Sequence, residues 1–133
     1  MNSQSERHLL AAALSAAALS IAIGAGGCAA VQKPSFNRPF EVRVAPGKPT
    51  EECLALNTGD PIAWRFEATR RVDFDIHYHR GRDVVTPVRN DDVENGSGAL
   101  VVKERETYCL TWTTRGAVPA FVRGEITLPS RQQ

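Results

Sequence analysis

The stretch VDFDIHYHRG, Val72 to Gly81, carries Asp73, Asp75, His77 and His79 at every second position. Carboxylates and imidazoles are the oxygen and nitrogen donors of metal sites. Along an extended strand Cβ directions alternate, so these four share one face, opposite Val72, Phe74, Ile76 and Tyr78, with neighbours about 6.5 to 7 Å apart. A His77/His79 pair at that spacing can bite one Zn²⁺ or Cu²⁺ ion, with imidazole nitrogens about 2.0 to 2.1 Å from the metal and Asp75 as a further ligand. The plainer alternative is that a strand with one dry face needs polar residues on the other, and the stripe Asp73, Asp75, His77, His79 is then a contact surface. Blue-copper chemistry is not expected, because it uses a free Cys and usually an axial Met, and the one methionine is Met1. Hydrolytic chemistry has no foothold either: Ser35, Ser97 and Ser130 fall in a tether, a loop and a tail with no nucleophile elbow around them, so the reading is of a protein that is not an enzyme.

A second chemical signal lies at the N-terminus. After MNSQSERH comes the uncharged run LLAAALSAAALSIAI and then GAGGCAA. A short basic region, an apolar run and small residues closing on a cleavage point are the layout of a signal peptide. The stretch AGGC, Ala25 to Cys28, resembles the lipobox of bacterial lipoprotein precursors. That resemblance implies lipidation (palmitate among the acyl groups) of Cys28, which becomes the first residue of the mature chain, and membrane attachment through the lipid. Ala29 in place of the Asp that retains some lipoproteins at the inner membrane points to the outer membrane, facing the periplasm. Two other readings remain: an ordinary peptidase cut after Ala29, or an uncleaved anchor over the uncharged span 9–31.

The chain has three cysteines. With lipid on Cys28, Cys53 and Cys109 are left as a pair, and in an oxidising compartment a disulfide between them is the default, stabilising by about 2 to 4 kcal/mol through closure of a long loop. A metal or a reactive thiol is the rival; no C-x-x-C pair supports it.

These features fit an ordinary single domain. The 133 residues are 42% hydrophobic and 23% charged, with 16 basic against 15 acidic residues. That balance supplies no basic field for nucleic acid, so no nucleic-acid partner is expected. The expected partition is a signal peptide over 1–27, the lipidated Cys28 and a flexible tether over 28–39, a β-domain over 40–129 and a tail over 130–133.

The elements that must position the stripe are strands. From Phe40 onward apolar residues recur at every second position in short runs broken by turn residues, and no segment shows a helical period. FEVRV points Phe40, Val42 and Val44 inward; EECLALN is a second strand; IAWRFEA buries Ile62, Trp64 and Phe66; VDFDIHYH follows. DVVTPV reads as an edge because of Pro87, NDDVENGSG as a loop, and ALVVK, TYCLTWT and VRGEITL complete about eight strands. The spacing predicts an all-β, antiparallel β-sandwich of jelly-roll type, with a core of Trp64, Phe66, Phe74, Ile76, Tyr108 and Trp112.

The order EC on an early strand, W-R-F after a Gly turn, V-D-F-D-I-H-Y, a polar loop, then T-Y-C-L-T-W-T and a closing strand resembles the GOLD domain, the luminal β-sandwich of Golgi cargo receptors. The likeness covers about Glu52 to Leu128. It implies that Cys53 and Cys109 are the family's disulfide pair, Trp64 and Phe66 its core aromatics and Tyr108 the tyrosine opening its late strand. Cys109 follows Tyr108 directly, where the receptors' cysteine usually comes three residues on, so the bridge is shifted by one pleat repeat. The receptors' coiled coil and membrane helix have no counterpart in the sequence, so what is implied is a binding or interaction module with a protein or lipid partner in the envelope, not cargo transport. The expected cofactor set is none, with Zn or Cu at the histidine pair as the alternative.

Overall fold

The computed structural model describes residues 35–130, and all regular structure among them is β-strand. Cys28 and the signal-peptide segment lie outside the described residues. The strands are β1 (Ser35–Val44), β2 (Thr50–Leu56), β3 (Pro61–Arg80), β4 (Asp83–Val101), β5 (Glu106–Thr113) and β6 (Ala120–Pro129). Every pairing is antiparallel, and the path across the sheet runs β1-β6-β3-β5-β2, with β4 beside β3.

The about eight short strands expected are six, because two of them are long. IAWRFEA and VDFDIHYH are one 20-residue strand, β3. DVVTPV, the expected loop NDDVENGSG and the start of ALVVK are one 19-residue strand, β4, paired along β3. β3 bends where Ala68, Thr69, Arg70 and Arg71 lie opposite Glu94 alone, between the pairs Glu67↔Asn95 and Val72↔Val93. Such a bulge kinks a strand without ending its ladder. Its first limb pairs with β6 and its second with β5.

Burial strictly follows parity on both sides of the bend: Ile62, Trp64 and Phe66, then Val72, Phe74, Ile76 and Tyr78, are all buried. The sheet therefore curls over one inner face, and the limbs meet through rings. Phe74 lies 4.8 Å from Phe66, 6.1 Å from Trp64 and 5.5 Å from Trp112, centroid to centroid, and Phe40 lies 5.0 Å from Trp112. Burial of these side chains, about 1.5 to 3 kcal/mol each, is the main stabilising term. In place of the two packed sheets of the expected sandwich, the described residues form one antiparallel six-stranded sheet curled on itself.

The glycines that made NDDVENGSG read as a loop have a packing role. Gly96 and Gly98 stand opposite Phe66 and Trp64, and a Cβ on either would come within 2.5 Å of the ring it faces. Glycine is tolerated in a strand where another group needs the space. Gly124, the partner of Phe66 on the other side, is tighter still: its Cβ would collide with the Arg65 carbonyl oxygen.

β1 also begins earlier than expected. Ser35 to Pro39, assigned to the tether, pair with Pro129 to Glu125 of β6. Pro39 fits because β1 is at the end of the sheet path, where a missing ladder N–H is tolerated.

Candidate functional site

The second limb of β3 carries the stripe, and alternation places it as expected: Asp73, Asp75 and His77 are half-buried and His79 is exposed on the outer face, between inward Phe74, Ile76 and Tyr78. The four residues do not act alike, because their neighbours on β4 and β5 differ.

Asp73 is a brace. Its Oδ1 accepts the backbone N–H of Asp92 at 2.9 Å and its Oδ2 accepts Arg115 Nε at 2.6 Å. Asp92 has φ 59°, the left-handed conformation that a bulged strand needs and Asp tolerates. Burial pushes the Asp73 carboxyl up, but the Arg115 hydrogen bond, the Asp92 N–H and the charges of Arg115 and Arg89 outweigh it and hold the group below its ordinary value. Asp73 thus ties the β4 bulge to the loop after β5.

Asp75 and His77 form a pair. His77 Nδ1 lies 2.8 Å from Asp75 Oδ1 and 3.3 Å from Thr111 Oγ1, and Thr111 in turn reaches Glu51 Oε1 at 3.5 Å. Set against a carboxylate oxygen, Nδ1 is placed to donate. Nε2 faces Glu51 Oε1 at 4.0 Å, and the His77 side chain retains only 14% of its exposure. His79 packs edge-on against it, ring centroids 5.5 Å apart.

Beside His77 is the disulfide. His77 is the partner of Cys109 across β3·β5, Cys109 is the partner of Cys53 across β5·β2, and the two sulfurs are bonded at 2.07 Å. Being of odd parity with the stripe, the bridge is on the outer face: Cys53 is exposed and Cys109 is covered. The Glu51 carboxylate and both sulfurs lie within 4.8 Å of one another. A row therefore runs over three strands: Asp75 and His77 on β3, Thr111 and Cys109 on β5, Glu51 and Cys53 on β2. Glu51 and Thr111 were not singled out from the sequence, since adjacency across strands depends on register.

The first limb shows a different outer face, an alternation of paired charges. Arg65 bonds Glu125 at 2.9 Å and Arg123 bonds Glu67 at 3.2 Å. These pairs border a groove of about 710 Å³ that also touches Phe40, Phe66, Gly96 and Gly124. β4 forms its margin, and among the described strands β4 pairs only with β3. From Asn95 to Val101 that strand carries no charge, no proline and no register break, and Val101 is 62% exposed.

No family model and no curated protein matches the chain. Several solved structures resemble it, among them two with the following alignments. A mitogen derived from Yersinia pseudotuberculosis aligns with TM-score 0.56 at 6% identity, over 75% of this chain and 92% of its own. A periplasmic inhibitor of g-type lysozyme from Aeromonas hydrophila aligns with TM-score 0.50 at 11% identity, over 74% and 90%. At such identities the likeness is one of fold.

Proposed function

We propose that this chain is an exported, lipid-anchored binding module of a bacterial cell envelope that works by contact rather than catalysis. One observation carries the reading. Cys53 and Cys109 are bonded to each other, so of three cysteines Cys28 alone is left, at the end of a run of small residues that follows an apolar segment. A disulfide supports an oxidising compartment, and the lone Cys28 supports a lipid on its thiol. The periplasmic source of one fold neighbour is consistent with this compartment. In this reading the curled sheet serves as a GOLD-like sandwich, its two limbs taking the place of two sheets, and the lipid sits in the periplasm-facing leaflet of the outer membrane.

The bare stretch Asn95–Val101 supports the binding role. Natural sheet edges are commonly protected by charge, proline or a bulge. The first part of β4 has all three, in Arg89, Asp91, Asp92, Pro87 and the register shifts, whereas its last seven residues have none. A partner with an extended, uncharged segment can add as a further strand there.

Mass spectrometry of the mature protein is the direct test. A diacylated or triacylated N-terminal Cys28, abolished by Cys28→Ser, is the expected result; an intact Met1 end sinks the proposal. A second reading, a periplasmic Zn²⁺ or Cu²⁺ binder using His77 and His79, draws support from the 5.5 Å separation of their rings. Calorimetric titration of the oxidised protein against His77→Ala and His79→Ala separates it: absence of micromolar heat removes it.

A further inference from the structure

We infer that a second copy of this chain is the partner of the bare β4 edge, the two copies pairing antiparallel over Asn95–Val101 about a two-fold axis at Gly98. This deepens the contact role proposed above and rests on it, naming the segment that adds; it does not use the lipid on Cys28.

The backbone fixes which groups the edge offers. Just past β4, Val102 donates its N–H to the Asp60 carbonyl oxygen at 2.9 Å, so at this rung the chain turns its ladder groups toward the β3 side. In an antiparallel sheet the ladder groups of successive residues point alternately to one neighbour and to the other. The register from Pro61↔Val101 to Glu67↔Asn95 is unbroken, so Gly96, Gly98 and Leu100 bond β3, while Asn95, Ser97, Ala99 and Val101 present N–H and C=O to the free edge. Pro61 agrees with this parity, since it stands opposite Val101, on a rung where β3 supplies β4 with no N–H.

Symmetry then selects the register. When identical strands pair about a two-fold, residue i opposes residue j at two equivalent rungs, and antiparallel rungs alternate in type, so one residue must face its own copy. With Gly98 as that residue all seven are used. Asn95 opposes Val101 and Ser97 opposes Ala99, so the outward-pointing residues of the two copies meet in hydrogen-bonded rungs, about eight main-chain bonds in all.

Charge favours the same arrangement. No charged residue enters the ladder, and its flanks are opposite in sign: Asp91, Asp92 and Glu94 precede the stretch, Lys103 and Arg105 follow it. Antiparallel pairing sets the acidic flank of one copy beside the basic flank of the other, whereas parallel pairing sets like against like. Among the described residues Glu94, Lys103 and Arg105 have no ion-pair partner; Glu104, between the two cations, is held by Arg80 and the Tyr78 hydroxyl. The end strands of the sheet path offer no such stretch, because β1 carries Arg38, Pro39, Glu41 and Arg43 and β2 carries Glu51 and Glu52.

Cross-linking by register tests the pairing. The full chain in mild detergent carries Cys28→Ser, so that with Cys53 and Cys109 bonded to each other an added cysteine is the free thiol. Asn95 and Val101 are both exposed, and across the two-fold they face each other with Cα atoms about 5.5 Å apart, within reach of a disulfide. Asn95 and its own copy are six positions apart along the ladder, about 20 Å, and so are the two Val101 residues. A mixture of Asn95→Cys and Val101→Cys chains under mild oxidation is therefore expected to give a linked pair that neither chain gives alone. Ala99→Lys sets two lysines diagonally across the axis, and it or Ser97→Lys should lower that yield at least about tenfold while circular dichroism stays that of the parent. No link in the mixture of folded chains, equal linking in the mixture and in either chain alone, or a yield that neither lysine lowers would each overturn the pairing. Acylation of Cys28 is read on the unsubstituted protein, so loss of the pairing and loss of the lipid anchor are told apart.

Discussion

The two limbs of β3 follow the same alternation, share the same partner strand and bury the same kinds of side chain, yet their outer faces are chemically unlike. On the first limb, each outward charge has an opposite charge on the neighbouring strand, as Arg65 has Glu125 and Glu67 has Arg123. On the second limb Asp73 is likewise paired, with Arg115, but the row beside it is built of Asp75, His77, Thr111, Glu51 and the Cys53–Cys109 bridge. Arg115 reaches only the far end of this limb, at Asp73, and Arg89 holds Asp91 on β4. The difference teaches that one alternation can carry either a face of cross-strand ion pairs or a face built round a histidine and a disulfide.

Breaking the junction between the limbs should have the largest effect. Phe74 stacks on Trp64, Phe66 and Trp112, so Phe74→Ala removes contacts to both limbs and should lower unfolding free energy by about 3 to 5 kcal/mol. Urea denaturation followed by tryptophan fluorescence measures it. A single transition is expected; two separate ones would mean that the limbs fold independently.

Replacing the bridge affects the second limb alone. The double change Cys53→Ser, Cys109→Ser should cost about 2 to 4 kcal/mol, since the loop that it closes spans 56 positions. Hydrogen exchange should show the loss of protection concentrated on β2 and β5, with β6 and β1 less affected.

On the first limb, Gly124→Ala should cost about 1 to 3 kcal/mol, because the added Cβ meets backbone on β3, which cannot rotate away. Gly116→Ala, with nothing closer than 3.8 Å, serves as the comparison and should be milder in thermal melts.

The acid response sharpens the contrast at smaller scale. Asp73 has a lowered folded value, so its contribution is fully present above the ordinary carboxylate value of about 3.9 and is lost as pH falls through the lower folded one. Asp73→Asn should therefore flatten the decline in stability below about pH 4, read from urea midpoints across that range. Glu125→Gln on the first limb should leave those midpoints nearly unchanged, since its partner Arg65 is well exposed.

Much of this was legible in the chain. Alternation in IAWRFEA and VDFDIHYH gave the buried set, and it gave the shared face of Asp73, Asp75, His77 and His79, because side-chain period in a strand is a local property. The turn residues that break the apolar runs include Gly47 and Gly59, which have φ 68° and 86°. The stretch NDDVENGSG was misread because glycine breaks a strand by itself and belongs in one when a ring occupies its Cβ position; Phe66 and Trp64 are distant in sequence, so nothing local announces them. The bend that joins two expected strands into β3 was hidden for the same reason.

The sequence by itself thus determined the all-β class, the inner and outer faces of each strand and the chemical types available on them, since these depend on residue order and a two-residue period. Only the tertiary structure decided the register, and the register decides which residues become neighbours. It gave Asp73 to a bulge, set His77 between Asp75 and Glu51, and set Cys53 opposite Cys109. Cross-strand adjacency is a long-range fact, fixed by how the whole sheet curls over Phe74 and Trp112.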